Sequence, residues 1–310
     1  MLQQVPFGKT GFQVSQLGFG AAPAAYLGTD EQQAVDTINR LLDGGMNVLD
    51  TAASYPGSES FLGKHFSARR KDYVLVSKCG GKIPESDAPA WSAALIEASV
   101  DRSLRQLNTD VIDVMLLHSC DLKTLQKGEA LGALIEARKA GKIRFAGYSG
   151  DNEAVAWAAE HPEIAVIEMS VNLVDQINLE QALPHARAND IGVIAKRPIA
   201  NAGWKDASQQ PGMYKSYAAE YTKRFAQLKL TPADVGFGNA PPEQAWPEIA
   251  LRFTLSFPGV HTAIIGTTNP KHADANLRFV QNGPLPPDVV EKIRAAYRRA
   301  DPRGQWKGQT

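Results

Sequence analysis

Apolar residues along this chain follow two alternating rhythms. Short, nearly continuous apolar runs of strand length alternate with longer stretches in which apolar positions recur every three or four residues, the spacing of a helix with one buried stripe. Residues 5–15 stand apart and read as a hairpin, two small apolar runs around Gly8-Lys9-Thr10-Gly11. Gln16-Leu-Gly-Phe-Gly20 opens the repeated part. Thr29-Asp-Glu-Gln-Gln-Ala34 then begins a helix with an acidic, cap-rich first turn, apolar positions at Ala34, Ile38, Leu41 and Leu42, and a stop at Gly44-Gly45. Further strand-like runs lie at 47–52, 73–78, 111–118, 143–149, 164–170, 191–196 and 261–266. Helical patterns at 58–66, 92–107, 125–140, 152–159, 179–189, 247–257 and 270–280 separate or follow them. A last helix, 287–300, precedes a tail carrying Trp306, and residues 200–240 form a long irregular insertion rich in Gly, Pro, Tyr and Trp.

About eight strands thus alternate with about eight helices, which implies parallel strands joined by right-handed crossovers. The count and length predict an α/β fold, a closed (β/α)8 TIM barrel with an N-terminal hairpin and an extra C-terminal helix, as one domain over residues 1–310. An open doubly wound sheet is the competitor. It would carry a glycine-rich phosphate loop after its first strand, and Gln16-Leu-Gly-Phe-Gly-Ala-Ala-Pro23 has two glycines without the spaced triplet.

Composition narrows the function classes. With 44% apolar and 21% charged residues the chain is ordinary for a soluble globular protein. Lys plus Arg equals Asp plus Glu, 33 each, so no net charge favours nucleic acid or an anionic membrane as partner. Met1-Leu-Gln-Gln-Val-Pro-Phe-Gly-Lys9 lacks the basic start and apolar run of a signal peptide, and no stretch approaches the ~18 apolar residues of a membrane span. Cys79 and Cys120 form neither a metal pattern nor a disulfide framework, which suits a reducing cytoplasm.

The informative polar residues fall at strand ends. Val48 and Leu49 read as buried, Asp50 ends the apolar run, and Tyr55 follows five residues later, just before the turn Pro56-Gly57. Lys78 ends Tyr73-Val-Leu-Val-Ser-Lys78, and His118 ends Val111-Ile-Asp-Val-Met-Leu-Leu-His118. In a parallel barrel these consecutive strand ends face one mouth, where such folds place their sites. A lone lysine there is usually solvated and a lone histidine usually structural; three such endings in succession point to a site. The chemistry follows from the charges. A phenol has a reference pKa near ~10, an adjacent ammonium lowers it, and a carboxylate keeps that ammonium charged and aimed. A neutral imidazole can polarise a carbonyl oxygen. Together they could protonate an oxygen that gains charge as hydride reaches its carbon.

On these residues the chain resembles the aldo-keto reductase superfamily over nearly its whole length. The family's catalytic aspartate and tyrosine match Asp50 and Tyr55, its lysine Lys78 and its histidine His118. The late segment Gly259-Val-His-Thr-Ala-Ile-Ile-Gly-Thr-Thr-Asn-Pro270, running on to Asn276, is similar to the family's cofactor-phosphate segment. The resemblance implies reduction of aldehydes or ketones by NADPH, with Tyr55 as general acid, Lys78 lowering its pKa, Asp50 holding Lys78 and His118 orienting the substrate carbonyl. It implies that Ser149 holds the nicotinamide carboxamide, that Gly266, Thr267 and Thr268 form the adenosine-phosphate loop, and that Asn276 contacts adenine. By the same likeness Gly20 and Pro198 fall among the cofactor-binding positions. Departures mark the pattern too. Gly150 stands where much of the family has asparagine, Glu168 where it often has glutamine, Lys196 where a nicotinamide-stacking aromatic is common, and His272 where an arginine often grips the 2′-phosphate. A histidine mostly neutral at pH 7 weakens the preference for NADPH over NADH, which Lys271 partly restores.

Other residues have quieter readings. Cys79 reads as a small core residue despite Lys78 beside it, and Cys120 as either core or pocket lining. Trp204, Tyr214, Tyr217 and Tyr221 could form a substrate lid or pack the insertion onto the barrel. His65, His161, His185 and His261 read as structural or solvated, and Arg294, Arg298 and Arg299 as a solvated helix face. Two rival functions stay open: an NADPH-binding regulatory or sensor subunit with little turnover, and a barrel lyase or isomerase using Lys78 as a Schiff-base amine.

Overall fold

The computed structural model describes residues 2–22, 28, 30–210, 212 and 214–309, with the backbone alone described at 207, 214 and 215. Eight strands close into an all-parallel barrel: β3 (Leu17–Gly20), β4 (Val48–Asp50), β5 (Val74–Cys79), β6 (Ile112–His118), β7 (Ile143–Ser149), β8 (Val166–Ser170), β9 (Gly192–Lys196) and β10 (Thr262–Ile265), with β10 pairing back onto β3. The expected (β/α)8 barrel is therefore the observed one. Strands β1 (Gln4–Pro6) and β2 (Gln13–Ser15) form the antiparallel hairpin, with Val5 opposite Val14. The hairpin plugs the end where the strands begin. Phe7 is fully buried there, its ring so close to Gly192 that a Cβ on that glycine would lie 2.8 Å from it.

Side chains of a strand alternate between faces, so each barrel strand sends every second residue inward. Val48, Val76, Leu116, Val166 and Ile194 belong to one apolar cluster inside the barrel. The alternate residues contact the surrounding helices through a larger apolar shell, which includes Leu49, Leu75, Met115, Leu117, Ile167 and Val193. The interior is thus a filled core of mostly β-branched residues.

The helices are α1 (Glu31–Asp43), α2 (Ser58–Phe66), α3 (Ala93–Leu107), α4 (Leu122–Lys127), α5 (Glu129–Lys139), α6 (Asn152–Glu160), α7 (Ile177–Gln181), α8 (Leu183–Ala188), α9 (Tyr214–Tyr217), α10 (Ala219–Leu228), α11 (Pro242–Thr254), α12 (Pro270–Gln281) and α13 (Pro287–Ala300). No helix of the described residues is long and apolar enough to cross a membrane. Thr29 lies outside the described residues; Asp30 caps α1, accepting from the Gln33 N–H at 2.8 Å. The pattern over 125–140 predicts one helix, but Gly128 at φ 78° separates α4 from α5. Similarly, Pro184 opens α8 and divides the helix expected over 179–189. The helix expected to start at Pro247 starts at Pro242, which takes the first-turn position that suits proline. The insertion is more regular than expected. It holds α9, α10 and three 3₁₀ turns, and Tyr221 and Leu228 pack into a second core with Trp246, Phe253 and Ile293.

Where strands pack most closely, glycine is required. A Cβ at Gly147 in β7 would lie 2.3 Å from the Val166 carbonyl oxygen and 2.4 Å from the Leu116 side chain. Gly147→Ala should therefore lower stability by about 1–3 kcal/mol, read as a lower urea midpoint at unchanged slope. A variant as stable as the parent would mean the barrel wall yields at this point.

Candidate active site

The site is built by one rule applied around the barrel. In five strands the inward position two residues after an apolar one is polar, Asp50 after Val48, Lys78 after Val76, His118 after Leu116, Glu168 after Val166 and Lys196 after Ile194, and in β7 Ser149 follows Gly147 in the same way. The closed sheet brings these ends together at the mouth where the strands finish. Lys78 is the centre. Its ammonium is fully buried, donates to both Asp50 oxygens at 2.6 Å and to the Thr51 carbonyl at 3.1 Å, and lies 3.2 Å from Glu168 Oε2. Burial disfavours the charged amine, but Asp50, Glu168 and Tyr55 outweigh it and hold Lys78 protonated.

The two carboxylates do not titrate alike. Burial, then the charge of Glu168, pushes Asp50 well above the usual carboxylate range. Burial acts on Glu168 as well, but Lys78 and Lys196 outweigh it and hold that carboxyl below its ordinary value. Ser149 Oγ donates to Glu168 Oε1 at 3.2 Å, as suits an ionised acceptor.

Tyr55 sits on the loop after β4. The Lys78 ammonium lies 5.5 Å from the centre of its ring, and the His118 ring meets it edge-on at 5.8 Å. Lys78 pulls the phenol pKa down as expected, yet burial is the larger influence and leaves it above its ordinary value. The imidazole of His118 is driven down to about 3 by burial and by Lys78, so it is neutral at neutral pH. Its Nδ1 lies 3.3 Å from Ser54 Oγ. Beside these groups opens a cavity of about 210 Å³ lined by Ala53, Ser54, Lys78, Cys79, Gly80, Gly81, His118 and Ser119. Gly80 is backed by the Trp91 indole, so close that a Cβ at 80 would fall 1.9 Å from the ring. A larger cleft of about 490 Å³ lies at the opposite end, among Phe12, Asn47, Arg70, Asp113 and Arg144. There Arg70 and Arg144 both pair with Asp113, at 2.7 and 3.0 Å, and the strand-end groups are remote from it.

The remaining expected residues divide into two groups. Gly20, Ser149, Glu168, Lys196 and Pro198 line the ends of β3, β7, β8 and β9, beside the catalytic candidates. Among them Pro198 lends its carbonyl to Thr254 Oγ1 at 3.3 Å. Gly266, Thr267, Thr268, His272 and Asn276 lie after β10 and on α12. The Thr268 carbonyl is tied to α1 by Gln33 at 2.7 Å and Thr37 at 3.2 Å, Asn276 is buried, and His272 is exposed. Burial and the charge of Lys205 lower the His272 pKa, so its ring is an uncharged donor or acceptor at neutral pH.

Several participants escape a reading by strand ends. Asp151 pairs with Lys196 at 3.2 Å and lies 3.7 Å from Arg197. Arg197, in turn, donates to Ser170 at 2.8 Å, to Tyr217 at 2.6 Å and to the Gln309 carbonyl. The tail is drawn to the same place: Gly308 N–H donates to Asn152 at 2.7 Å and Gln309 N–H to Asp175 at 3.1 Å. Of the insertion aromatics, Tyr217 stays exposed over the Arg197 guanidinium at 5.0 Å, Tyr221 is buried on Asp175, Trp204 packs on Phe225, and the Tyr214 side chain lies outside the described residues. Cys79 is buried and lines the cavity; Cys120 is buried, its carbonyl accepting from Tyr148 at 2.6 Å. Burial pushes the Cys120 thiol up to about 12, and Cys79 further, so both are unreactive. His65 and His185 pair with Glu31 and Glu160, while His161 and His261 accept backbone N–H groups. Arg294 and Arg298 pair with Glu180 and Glu291.

Comparison with known proteins matches residues 16–298 to the model of the Aldo/keto reductase family. The chain is 25% identical over 295 residues to L-galactose dehydrogenase of Arabidopsis thaliana, covering 88% of this chain and 86% of that protein. It is 26% identical over 220 residues to the NADH-specific methylglyoxal reductase of Escherichia coli, covering 64% and 68%. Among solved structures, an aldo-keto reductase from Bacillus halodurans in its holo form superposes with a TM-score of 0.79 at 25% identity, over 96% of this chain and 97% of that one.

The depressed imidazole has a consequence for stability. Its ordinary pKa is 6.5, and the folded value is about 3. Between these values the unfolded chain takes up a proton that the folded chain refuses, so stability falls as pH drops through that window and is untouched above it. Replacing His118 by Asn removes this liability. The urea midpoint of the parent should drop further than that of the variant between about pH 7 and about pH 4. Equal drops would show that His118 takes up its proton normally in the fold.

Proposed function

The chain belongs to the Aldo/keto reductase family, and from that premise we propose that it reduces an aldehyde or ketone with NADPH, Tyr55 delivering the proton. The observation that carries this reading is a buried ammonium, Lys78, held by Asp50 at 2.6 Å and facing the Tyr55 ring at 5.5 Å, with neutral His118 against the same ring. When bound, the reduced nicotinamide supplies hydride. Every other task falls to side chains. His118, uncharged, donates a hydrogen bond to the substrate oxygen and aims its carbon. Tyr55 gives its proton to that oxygen as negative charge builds there, and Lys78 stabilises the phenolate left behind. Asp50 keeps Lys78 charged and in place. The phenol's raised pKa makes Tyr55 a firmly protonated donor before the substrate arrives.

The residues fit a phosphate-bearing cofactor. Asn201 Nδ2 and Trp204 Nε1, in the loop after β9, are buried donors with no hydrogen-bond partner among the described residues, and they suit an acceptor-rich group. Ser149, Glu168 and Lys196, with Gly20 and Pro198 beside them, would hold the nicotinamide end. Gly266, Thr267, Thr268, His272 and Asn276 would hold the adenosine end. NADPH is favoured over NADH because Lys205 acts on His272 and Lys271 adjoins it, giving two fixed cations for a 2′-phosphate. NADH, which the Escherichia coli relative uses, is the second choice. The cavity walls are small or hydroxylated, Ala53, Ser54, Gly80, Gly81 and Ser119, and its volume is about 210 Å³, so short polar carbonyls fit better than bulky aromatic ones. Free, buried thiols at Cys79 and Cys120 suit the cytoplasm as its place of work.

Fluorescence titration with NADPH and NADH separately, followed by a panel of carbonyls, tests the reading. Tyr55→Phe should lower kcat by about 10²–10⁴-fold while cofactor affinity stays nearly unchanged. Full activity in that variant would remove Tyr55 from the chemistry. Tight cofactor binding by the parent with no turnover on any carbonyl would favour a sensor subunit instead.

A further inference from the structure

A neutral histidine donates from only one of its two ring nitrogens, and the hydrogen bond made at one nitrogen sets what the other can do. His118 is neutral at neutral pH, so its two tautomers are the alternatives, not an imidazolium with two N–H groups. Its Nδ1 lies 3.3 Å from Ser54 Oγ, the one hydrogen-bond partner the ring has among the described residues. Nε2 is therefore the nitrogen left to meet a substrate oxygen.

Ser54 is held where it can serve the ring. It precedes Tyr55 on the loop after β4, and that loop is tied down at several points. Ala53 N–H donates to the Lys78 carbonyl at 3.0 Å, Tyr55 N–H to the Ala52 carbonyl at 3.0 Å, and Ser58 N–H to the Tyr55 carbonyl at 3.1 Å. The Thr51 and Ser58 hydroxyls, 2.8 Å apart, brace its ends. Ser54 and His118 both line the cavity of about 210 Å³. Two consecutive loop residues thus contact the imidazole, Ser54 by its hydroxyl and Tyr55 by its ring, edge-on at 5.8 Å.

We propose that Ser54 is a positioning residue for carbonyl reduction: its hydroxyl donates to His118 Nδ1 and so favours the tautomer that carries its proton on Nε2, the one able to donate to the substrate oxygen. A carbonyl oxygen only accepts. When Nε2–H is given to it, Nδ1 is bare, and the Ser54 O–H fills that lone pair, so every polar atom is paired. In the opposite tautomer Nδ1–H points at Ser54 and a bare Nε2 meets the carbonyl, lone pair against lone pair. Without the hydroxyl, the productive tautomer leaves Nδ1 unpaired, a loss that grows as the site excludes water.

This inference rests on His118 as the carbonyl's donor, so its tests separate the two readings. Ser54 is exposed, so alanine there is tolerated by the fold. In Ser54→Ala, kcat/KM for carbonyl reduction should fall about tenfold, the weight of one hydrogen bond, while cofactor affinity stays unchanged. Ser54→Thr, which keeps the hydroxyl, should restore most of the loss. A role confined to packing predicts the reverse, since threonine adds a methyl group that alanine does not. Nitrogen-15 NMR of the imidazoles, with His118 assigned by its loss in His118→Asn, needs no turnover. The parent should show a bare Nδ1 and a protonated Nε2, and in Ser54→Ala the two resonances should draw together as the tautomers mix. A proton on Nδ1 in the parent, or resonances unmoved by the alanine, overturns the proposal. Cofactor binding without reduction of any carbonyl overturns the reductase reading instead and leaves the NMR test to decide on Ser54.

Discussion

A charged amine sealed from water is the constraint around which the mouth of this barrel is arranged. Lys78 has no exposed side-chain surface. Burying such an ion costs several kcal/mol unless anions and dipoles replace its water. Here that replacement is drawn from two strands and a loop: Asp50 on β4, Glu168 on β8 and the Thr51 carbonyl all converge on one nitrogen. Strands four positions apart in chain order can meet in this way only because the sheet is closed and its interior is narrow. The need to solvate one ammonium therefore ties the fold's closure to its chemistry.

The two ends of the barrel handle buried charge differently. At the lower end Asp113 is fully committed, accepting from Arg70, Arg144 and the Leu75 N–H at 2.7 to 3.0 Å, and the hairpin closes the opening with Phe7. Those pairings tie β5, β6, β7 and the turn carrying Arg70 together at the base. At the upper end the donors of Asn201 and Trp204 have no hydrogen-bond partner among the described residues, and His118 opens onto the cavity. Rigid satisfaction below and incomplete satisfaction above is the division of labour expected of a scaffold that holds a reactive face.

Much of this was legible in the sequence because the signals are local. Asp50, Lys78 and His118 each follow an apolar run of fixed parity, and a period of two leaves no freedom about which face they take. The hairpin and the alternation of elements were legible for the same reason. What stayed hidden depends on register and on long-range return of the chain. Nothing near Glu168 announces that its second oxygen will meet Lys78, ninety residues earlier. The pairing of Lys196 with Asp151, and the anchoring of Gly308 and Gln309 at Asn152 and Asp175, arise from the closed sheet rather than from any motif. Gly128 was hidden differently: apolar periodicity runs through it unbroken, although its φ of 78° ends one helix and begins another. In Tyr55 the attraction of Lys78 was legible, but the greater weight of burial was not.

The contact between Gly80 and Trp91 limits how this pocket can diversify. No side chain fits at 80 while the indole is present, and position 91 itself holds a left-handed backbone, φ 65°, that few residues adopt comfortably. The two sites therefore behave as one variable. A lineage that adds a side chain at 80 must therefore also give up the indole at 91, so this side of the cavity resists single-step change.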